Sequence, residues 1–537
     1  MVKSLTKGYE AKNRTVAKAV LIALLLLGAV LRLEHIDQPF VDKFSWREAS
    51  TAMMARNFYR GHWNILYPEV DWGGPGPNYQ GREFQTVTYI AAILYKVFGE
   101  QEWVGRSVTA AFGLWGIFAL YQLVRRVWDD ERALVSAGLM AVLPGAVVIE
   151  RSFLPDPGMV ALVITSLWML VRYCQTEKVH YLALSAFVGC LGILTKLPGI
   201  IVGLPASYAI YAILGRRALE PSKLLSLLSA AVAVLIAASA YYLWARYLSV
   251  TYPPHHFAGA NQFISLEKVG DWIRQYYFLP KLGQQLFGWL WTWPFVTLVV
   301  AGLLLPPSKQ KEGQAGTQAA PWFFHWLGLA LVVQYVIEAQ HLVQDPNNMH
   351  LWNAFAAAMG GHAIVSVSQL IRGRAKYVRM AAITGMVVIV AVVGRQSLKF
   401  SYMPYASSYQ IGTKLSKIAD PNDLIVSFGL NPSTIYYSRL RGWLFPPTEV
   451  WHTSIGWDYG EDDIKILQSL WRQGAKWLAI SNSNDSYINA NDLKRDRAIK
   501  LWLFIQNNFE LYDDSEDGMI FRLPPYQAQS TLSESTR

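Results

Sequence analysis

Residues 42–83 form a polar stretch that follows the first apolar segment of the chain. The stretch holds five carboxylates together with Arg47 and several aromatic residues. Carboxylates can take protons from hydroxyl groups, cations can hold phosphate oxygens, and aromatic faces can pack on sugar rings. The five carboxylates are Asp42, Glu48, Glu69, Asp71 and Glu83. These residue types predict a site for a sugar or a phosphate.

The composition indicates that a membrane protein surrounds this stretch. Apolar residues make up 53% of the 537 residues, and the 21 Trp, 28 Tyr and 23 Phe are typical of aromatic belts at membrane interfaces. The net charge of +10 comes mostly from Lys and Arg in short loops between apolar runs, which indicates membrane orientation and not nucleic-acid binding. Cys174 and Cys190 both lie in apolar segments, so no disulfide framework is predicted.

Apolar segments with about the 20 residues needed to cross a bilayer recur along the chain. The first ends near Leu33, follows a basic N-terminal stretch and has no clear cleavage site after it, so we expect an uncleaved helix with a cytoplasmic N-terminus. With the first, the predicted transmembrane helices number about eleven. The others are predicted near 104–124, 133–149, 158–174, 180–196, 198–214, 222–245, 284–304, 322–338, 350–370 and 377–394.

Basic residues are concentrated in those short loops that lie on the side of the N-terminus, and the opposite short loops hold far fewer. By the positive-inside rule the basic loops face the cytoplasm. An odd number of crossings then places the C-terminus outside. The segments predicted outside are the large first loop 34–103 and the loops 150–157, 246–283 and 340–350.

The chain becomes polar after about residue 395, and its patterns change to those of a small soluble domain. Strands are predicted at 423–429, 475–481 and 518–523, and helices at 433–440, 461–474 and 497–509. We therefore predict a membrane domain over 1–395, an extracytoplasmic α/β domain over 396–525 and a disordered tail over 526–537. Within the first loop, 45–60 and 81–99 are predicted to form short helices at the membrane surface.

Several short motifs follow one another along the chain in an order that is typical of a known superfamily. Acidic residues on a surface helix are followed by RSFLPDP (151–157) before a span, TKLPG (195–199) at an outer helix end, NNMHLW (347–352) in a later loop and an outer C-terminal domain. In this order the chain resembles the GT-C superfamily, and within it the protein O-mannosyltransferase and aminoarabinose transferase group, including bacterial RgtA/B/C/D-like members. The resemblance covers essentially all of the membrane part.

The resemblance implies a GT-C type fold and an inverting glycosyltransferase. Such an enzyme takes a sugar from a polyprenyl phosphate on the outer face of the membrane and gives it to a hydroxyl group of a glycolipid, a glycan or a protein. One position departs from the family pattern, because the family usually carries an Asp-Glu pair where this chain has Arg47-Glu48. Asp42 lies nearby but out of register. Asp156 and Glu83 match the other acidic sites of the family.

The chemistry of that reaction assigns roles to these residues. A polyprenyl phosphate leaves as a stable anion, so the site needs a general base for the acceptor hydroxyl and cations for the phosphate. Asp156 and Glu48 are the candidate bases, and Glu83 can hold sugar hydroxyls or orient a neighbouring cation. The candidates for binding the substrate are Arg47, Asp42, Arg151, Lys196 and His350.

Five of the candidates also have a simpler structural interpretation. Ser45 and Glu48 have the spacing of a capping box, in which Glu48 only closes a helix N-terminus. Asp156 precedes Pro157, which is typical of an N-cap followed by proline at the first helical position. Three cations have alternatives as snorkelling or helix-start residues at span ends, namely Lys196, Arg151 and His350.

One of two further function classes, a non-catalytic scaffold with an outer interaction domain, leaves the clustered carboxylates unexplained. A polytopic transporter or lipid flippase is the alternative, but the ionisable residues gather at one membrane face and no duplicated halves with paired broken helices are visible. Loop carboxylates could converge on a divalent metal, yet no spacing matches a metal site, so no cofactor is predicted. Glu69 and Asp71 lie near turn residues and are predicted to be turn formers or solvated charges.

Overall fold

The computed structural model describes residues 2–257, 278–307, 320–370, 376–398, 401–402, 406–429, 431–446, 461–482 and 499–526. The chain forms two compact units. The first, called the helical unit, comprises Met1–Asp37, Glu83–Trp244 and Gly259–Tyr402. The second, called the α/β unit, comprises Gln38–Arg82, Ala245–Ala258 and Met403–Arg537.

Most described residues lie in α-helices. In chain order they are α1 Val2–Leu33, α2 Ser45–Arg60, α3 Thr86–Phe98, α4 Glu102–Val127, α5 Asp130–Val142, α6 Pro144–Arg151, α7 Asp156–Thr176, α8 Val179–Thr195, α9 Gly203–Leu214, α10 Pro221–Thr251, α11 Leu279–Gln285, α12 Trp293–Leu304, α13 Phe323–Gln344, α14 His350–Leu370, α15 Lys376–Leu398, α16 Ser407–Ile418, α17 Ser433–Ser438, α18 Glu461–Arg472 and α19 Ile499–Asn508. Short 3-10 turns lie at Leu197–Val202, Gly215–Leu219 and Pro346–Met349, and a π-helical turn at Leu286–Leu290.

Every predicted span coincides with a helix or a helix pair of the structure. Among the described residues, seven helical segments are long and apolar enough to cross a membrane, or nine if each of two bent pairs counts as one span. Two predicted spans are not among these segments: α8 is a shorter apolar helix, and α14 does not meet the same criterion, so the described residues give at most nine of the eleven predicted spans. The prediction of a polytopic helical membrane protein is therefore confirmed.

The two bent pairs differ in angle. Helices α5 and α6 meet at 60°, and the pair Leu279–Leu290 and Trp293–Leu304 meets at 111°. Pro144 follows Leu143, whose backbone is extended, and it explains the first bend. Proline has no N–H to continue the helix, and its ring clashes with the carbonyl four residues earlier. Pro294 lies in the first turn of α12, where proline is tolerated because that N–H has no helical partner.

The C-terminal part of the α/β unit contains one five-stranded sheet. Its strands are β1 Leu424–Phe428, β2 Arg441–Phe445, β3 Ala475–Ser481, β4 Glu510–Ser515 and β5 Gly518–Arg522. The order is β2-β1-β3-β5-β4, with β1 parallel to both neighbours and β5 antiparallel to both of its own. Buried side chains of the strands, such as Val426 and Leu478, pack with Leu467 of α18 and Leu501 of α19.

Three of these strands and three helices were predicted, whereas β2, β4 and α16 were not. Strand β4 reads ELYDDS and is largely exposed, so it lacks the apolar alternation that marks a half-buried strand. Strand β2 begins with Arg-Gly, and glycine is depleted in strands. Beyond Tyr526, the tail predicted to be disordered lies outside the described residues.

The first loop belongs in large part to the α/β unit. Residues 38–82 cluster with the C-terminal part of the chain, whereas the sequence prediction places the whole of 34–103 in the membrane domain. The N–H groups of Gly73 and Gly74 donate to the Gly442 carbonyl at 2.8 and 2.7 Å, and the Gly442 N–H donates to the Asp71 carbonyl at 3.0 Å. This backbone pairing lies on β2, an end strand of the sheet, and edge strands need such a partner.

The pairing requires a glycine at position 74. Gly74 has φ +111°, a backbone conformation that side chains rarely allow. A Cβ there would lie only 2.9 Å from Trp443 Nε1. The turn-rich sequence WGGPGPN therefore allows close packing on β2.

Candidate active site

Asp156 is the first residue of α7, and its side chain is fully buried. Lys196 Nζ donates to Asp156 Oδ1 at 2.6 Å, and Asn347 Nδ2 donates to Asp156 Oδ2 at 3.1 Å. Lys196 directly follows α8, and Asn347 lies in the 3-10 turn Pro346–Met349 between α13 and α14. Three separate elements of the helical unit thus meet at one carboxylate.

The N-cap interpretation of Asp156 is wrong. Helix α7 is preceded by Pro155 at its N-cap, and no side-chain cap hydrogen bond is present there. Asp156 is itself the first helical residue, and its carboxylate accepts from Lys196 and Asn347. Each carboxylate oxygen has a second lone pair, so a fixed carboxylate of this kind can still accept a proton from a hydroxyl group.

Lys196, predicted to bind phosphate, is the nearest cation to this carboxylate. Its side chain is 3% exposed and the Asp156 side chain is 0% exposed. A buried ion pair costs several kcal/mol per ion in lost hydration, which only good geometry and further hydrogen bonds offset. Asn347 supplies such a further bond. Lys196 is therefore a paired cation and not a snorkelling residue that reaches into water.

His350, the first residue of α14, lies in a second buried cluster. His350 Nε2 is 3.2 Å from Glu150 Oε1, and the Arg32 guanidinium donates to Glu150 Oε2. Asn353 Nδ2 is 3.2 Å from His350 Nδ1, and Trp291 Nε1 donates to Asn353 Oδ1 at 3.0 Å. The structure thus surrounds this predicted phosphate ligand with protein partners.

Arg151 holds the end of the first helix. Its Nε donates to the Glu34 carbonyl at 2.8 Å, and its guanidinium also donates to the His35 carbonyl. The guanidinium carbon lies 4.6 Å from the centre of the Tyr402 ring, within range of a cation–π interaction. Glu34 and His35 directly follow α1, so this buried arginine fixes the chain where it leaves the helix.

Glu83 lies on the segment that leads into α3, and it is partly exposed. The backbone on its C-terminal side is fixed to the end of α8. Phe84 N donates to the Leu194 carbonyl at 2.9 Å, and the hydroxyl groups of Thr86 and Thr195 are 2.7 Å apart. Since Lys196 follows Thr195 directly, the chain near Glu83 is anchored beside the residue that pairs with Asp156.

The other three candidates, Asp42, Arg47 and Glu48, belong to the α/β unit. Gln38 Nε2 donates to Asp42 Oδ1 at 2.5 Å. The guanidinium carbon of Arg47 lies 5.0 Å from the centre of the Trp46 ring. Asp42, Arg47 and Glu48 are all buried.

The capping-box interpretation of Ser45 and Glu48 is wrong. The Ser45 N–H donates to the Asp42 carbonyl and the Glu48 N–H donates to the Phe44 carbonyl, both at 2.9 Å, so neither N–H is left for a side chain. The Ser45 hydroxyl instead accepts from Asn431 Nδ2 at 3.0 Å. The helix begins at Ser45 with Phe44 at its N-cap, one residue earlier than a capping box from Ser45 to Glu48 requires.

Two loop carboxylates are structural. Asp71 accepts from Arg56 at 2.5 Å and from Asn57 at 3.0 Å, and Glu69 lies 2.8 Å from Arg441. Asp71 is buried, so its prediction as a turn former or solvated charge is wrong. Burial requires a partner for a charge, and Arg56 provides it.

Sequence reasoning missed Asn347, Arg32, Glu150 and Glu338. Glu338 is buried at a non-helical point inside α13 and accepts from Gln334 Nε2 at 2.6 Å. A charged residue within an apolar run is expensive to bury and is the signal that could have identified Arg32, Glu150 and Glu338. Asn347 opens the motif NNMHLW (347–352), but nothing in that motif indicates a contact with Asp156. Among the residues that the structure describes, no group of three or more His, Cys, Asp or Glu side chains is placed to hold a metal ion.

Comparison with solved structures defines the class of fold. ArnT from Cupriavidus metallidurans, in a crystal structure bound to undecaprenyl phosphate, is similar over 93% of this chain and 97% of its own, with a TM-score of 0.63 and 14% identity. The Archaeoglobus fulgidus oligosaccharyltransferase, crystallised with Zn and sulfate, is similar over 94% of this chain and 72% of its own, with a TM-score of 0.55 and 12% identity. The fold is that of the GT-C glycosyltransferases.

Sequence comparison agrees with the fold. Residues 86–244 match the dolichyl-phosphate-mannose-protein mannosyltransferase family. One relative is YkcB of Bacillus subtilis, which carries the name of a mannosyltransferase. It is 28% identical over 231 residues, which are 43% of this chain and 31% of YkcB. YycA of the same organism is 29% identical over 203 residues, which are 38% of this chain and 28% of YycA. The chain matches about a third of the length of these curated relatives, and the resemblance to the GT-C superfamily is confirmed.

Proposed function

We propose that the protein is an inverting glycosyltransferase that moves a sugar from a polyprenyl-phosphate donor to a hydroxyl acceptor at the outer face of the membrane. The observation that carries the proposal is the Asp156 carboxylate, buried at a helix start and fixed by Lys196 and Asn347. The GT-C fold and the family match supply the reaction class.

In this reaction the Asp156 carboxylate takes the proton of the acceptor hydroxyl. The acceptor oxygen forms a bond to the anomeric carbon while the bond from that carbon to the phosphate oxygen breaks. Attack from the side opposite the leaving group inverts the configuration. The phosphate leaves as an anion and needs no proton, so the protein has only to offer cations. Lys196 is the cation closest to the base.

The remaining candidate roles are part of the same proposal. Glu83 contacts sugar hydroxyls, because the chain beside it is anchored next to Lys196. The family resemblance is the basis for two further roles. Glu48 contributes to catalysis, and Arg47 and Asp42 contribute to donor binding. Arg151 and His350 influence the phosphate through the elements that they hold, since both are engaged with protein groups. No cofactor is invoked, and transfer that persists in a chelator is the corresponding test.

Two groups of contacts support the proposed orientation. The loops predicted to be cytoplasmic meet one another, because Glu177 lies 2.6 Å from both Arg217 and Lys223. Near the same end of α7, Arg126 donates to Gln175 Oε1 at 3.2 Å. Asp156 is at the other end of α7. We propose that the end with the basic loops faces the cytoplasm and that Asp156 lies near the outer face.

Cysteine labelling tests this orientation. In a chain lacking Cys174 and Cys190, single cysteines replace Asp462, whose side chain is 92% exposed, and the exposed Arg216. An impermeant thiol reagent applied to intact cells is expected to label Asp462→Cys and not Arg216→Cys. Labelling of both after permeabilisation controls for accessibility. The reverse pattern in intact cells contradicts an outer-face reaction.

The activity itself is tested with purified protein in liposomes. We expect transfer from a polyprenyl-phosphate mannose or another polyprenyl-phosphate sugar to an envelope glycolipid, glycan or protein, detected by mass spectrometry. Transfer from a nucleotide sugar without a lipid carrier contradicts the proposal. Movement of an intact lipid-linked sugar across the bilayer, without transfer, supports a flippase instead.

A further inference from the structure

In the cluster around His350, the donor and the acceptor of each hydrogen bond can be assigned. An indole N–H can only donate, so Trp291 Nε1 makes Asn353 Oδ1 the acceptor and leaves Asn353 Nδ2 as a donor. That amide nitrogen lies 3.2 Å from His350 Nδ1, which therefore accepts. The ring proton is then on His350 Nε2, which faces Glu150 Oε1 at 3.2 Å. The cluster has a defined tautomer as well as a defined geometry.

The position of Glu150 is fixed from its other side by Arg32. The Arg32 guanidinium donates to Glu150 Oε2, to the Gly28 and Ala141 carbonyls at 3.0 Å and to the Met140 carbonyl at 3.2 Å. The bend at Pro144 removes the helical partners of the carbonyls near the end of α5. Arg32 replaces those partners and neutralises Glu150. The Glu150 carboxylate, which lies on α6 just after the bend, is therefore held in one position. Arg32 and Glu150 are both 0% exposed.

His350 connects this fixed carboxylate to the turn that reaches Asp156. The turn Pro346–Met349 ends directly at His350, and Asn347 is its second residue. The Asn348 N–H donates to the Asp345 carbonyl at 3.0 Å and closes the turn. Asn347 and His350 are three residues apart on one short rigid segment. A shift of the His350 ring therefore moves the Asn347 amide relative to Asp156.

We propose that His350 is a positioning residue: held by Glu150 and Arg32, it fixes the turn through which Asn347 orients the Asp156 carboxylate. The inference rests on the proposed role of Asp156 as the base. It assigns the intramembrane charges Arg32 and Glu150 to the same function, because Arg32 fixes Glu150 and Glu150 faces His350. A carboxylate whose plane is held by Lys196 and Asn347 presents its free lone pairs in one direction, which general-base catalysis requires.

The chain contains a matched control in the same helix. His362 is also fully buried in α14, and its Nδ1 accepts from Arg132 Nε at 3.0 Å. It lies twelve residues after His350, which at 1.5 Å per residue is about 18 Å along the helix. Replacing either histidine removes a buried ring with a guanidinium or carboxylate partner. Only His350 is next to the turn that contacts Asp156.

The test is a double-mutant cycle on transfer kinetics in liposomes. Asn347→Ala and His350→Leu are each expected to lower kcat about 10- to 100-fold with little change in donor KM, because misplacement of a catalytic group by about 1 Å costs on that scale. If His350 acts through Asn347, the double variant is no slower than Asn347→Ala alone. His350→Gln, whose amide can donate to Glu150, is expected to recover most of the activity, and His362→Leu is expected to retain it.

Several outcomes overturn the inference. Multiplicative losses in the double variant, or equal losses in His350→Leu and His362→Leu, show that His350 has no specific link to Asn347. If His350→Leu does not fold, the same cycle with Glu150→Gln decides the matter, because Gln keeps the shape but has only one acceptor oxygen, so its amide NH2 faces the donor of either Arg32 or His350. Failure of the proposed function gives a different result: near-normal turnover of Asp156→Asn shows that Asp156 is not the base, whatever the His350 variants do.

Discussion

Asp156 and Asp130 occupy equivalent positions at two ends of the helical unit. Each is the first residue of a helix, and each pairs with a cation, Lys196 for Asp156 and Arg125 for Asp130. The side chains of Asp156 and Lys196 are 0% and 3% exposed, whereas those of Asp130 and Arg125 are 60% and 41% exposed. The exposed pair remains hydrated and helps mainly to set orientation in the membrane. The buried pair has lost its hydration, which costs free energy, so either a contribution to stability or a role in the reaction must explain its presence.

The largest expected effect concerns catalysis by the buried pair. Asp156→Asn keeps most of the size of the side chain but cannot take a proton, and loss of a positioned general base costs about 10²- to 10⁴-fold in rate. We expect transfer to fall by this factor while donor binding persists, and thermal stability to fall in part, because the amide oxygen still accepts from Lys196 but the buried ammonium loses its counter-charge. Asp130→Asn, at the exposed helix start, is expected to leave all three unchanged. Equal activity of the two variants would falsify the catalytic role of Asp156.

The second prediction concerns stability. Lys196→Met leaves the Asp156 carboxylate buried without its cation, and breaking a buried pair in this way costs about 3–5 kcal/mol. Arg125→Met at the exposed pair is expected to cost about 0–1 kcal/mol. Thermal midpoints in detergent, followed by tryptophan fluorescence, measure both.

The double variant Lys196→Met with Asp156→Asn sharpens this comparison. Removing both charges eliminates the unpaired buried carboxylate, so part of the lost stability is expected to return without any return of activity. A double variant as unstable as Lys196→Met alone contradicts this explanation of the buried pair.

The smallest expected effect comes from a pair of intermediate exposure in the α/β unit. Burial alone raises the pKa of Asp423, but hydrogen bonds from Lys476 at 2.7 Å and from Trp477 at 2.9 Å outweigh it, so the pKa of Asp423 in the folded protein is lowered. A carboxyl group whose pKa is lowered by folding stabilises the protein above its unfolded pKa of about 3.9. That stability is lost as the pH falls through the lower folded value.

Asp423→Asn tests this linkage. We expect it to lower stability at pH 7 by about 1 kcal/mol, because the Lys476 side chain is 64% exposed and solvent screens the pair. The difference between the variant and the original chain is expected to shrink as the pH falls towards 3. A difference that does not depend on pH contradicts the assignment to the ionised carboxylate.

Much of the site was visible as separate residues in the sequence. The motif RSFLPDP indicated Asp156, and the basic residue of the motif TKLPG is Lys196. Their contact was not predicted, because Lys196 was assigned to the phosphate. The capping interpretations of Glu48 and Asp156 failed for a common reason: both rest on local spacing, whereas backbone carbonyls satisfy the first N–H groups of α2 and distant side chains engage the carboxylate of Asp156.

The sequence by itself determined the class of protein, the positions of the helices and the polar ends at which chemistry can occur. These follow from local quantities, namely the transfer free energy of apolar runs, their length and the placement of charges. Only the tertiary structure decided that Asn347 contacts Asp156, that Glu150 faces both Arg32 and His350, and that residues 38–82 pack with the C-terminal sheet. Such contacts join residues up to hundreds of positions apart, and they depend on where helices bend and how they pack, which no local pattern encodes.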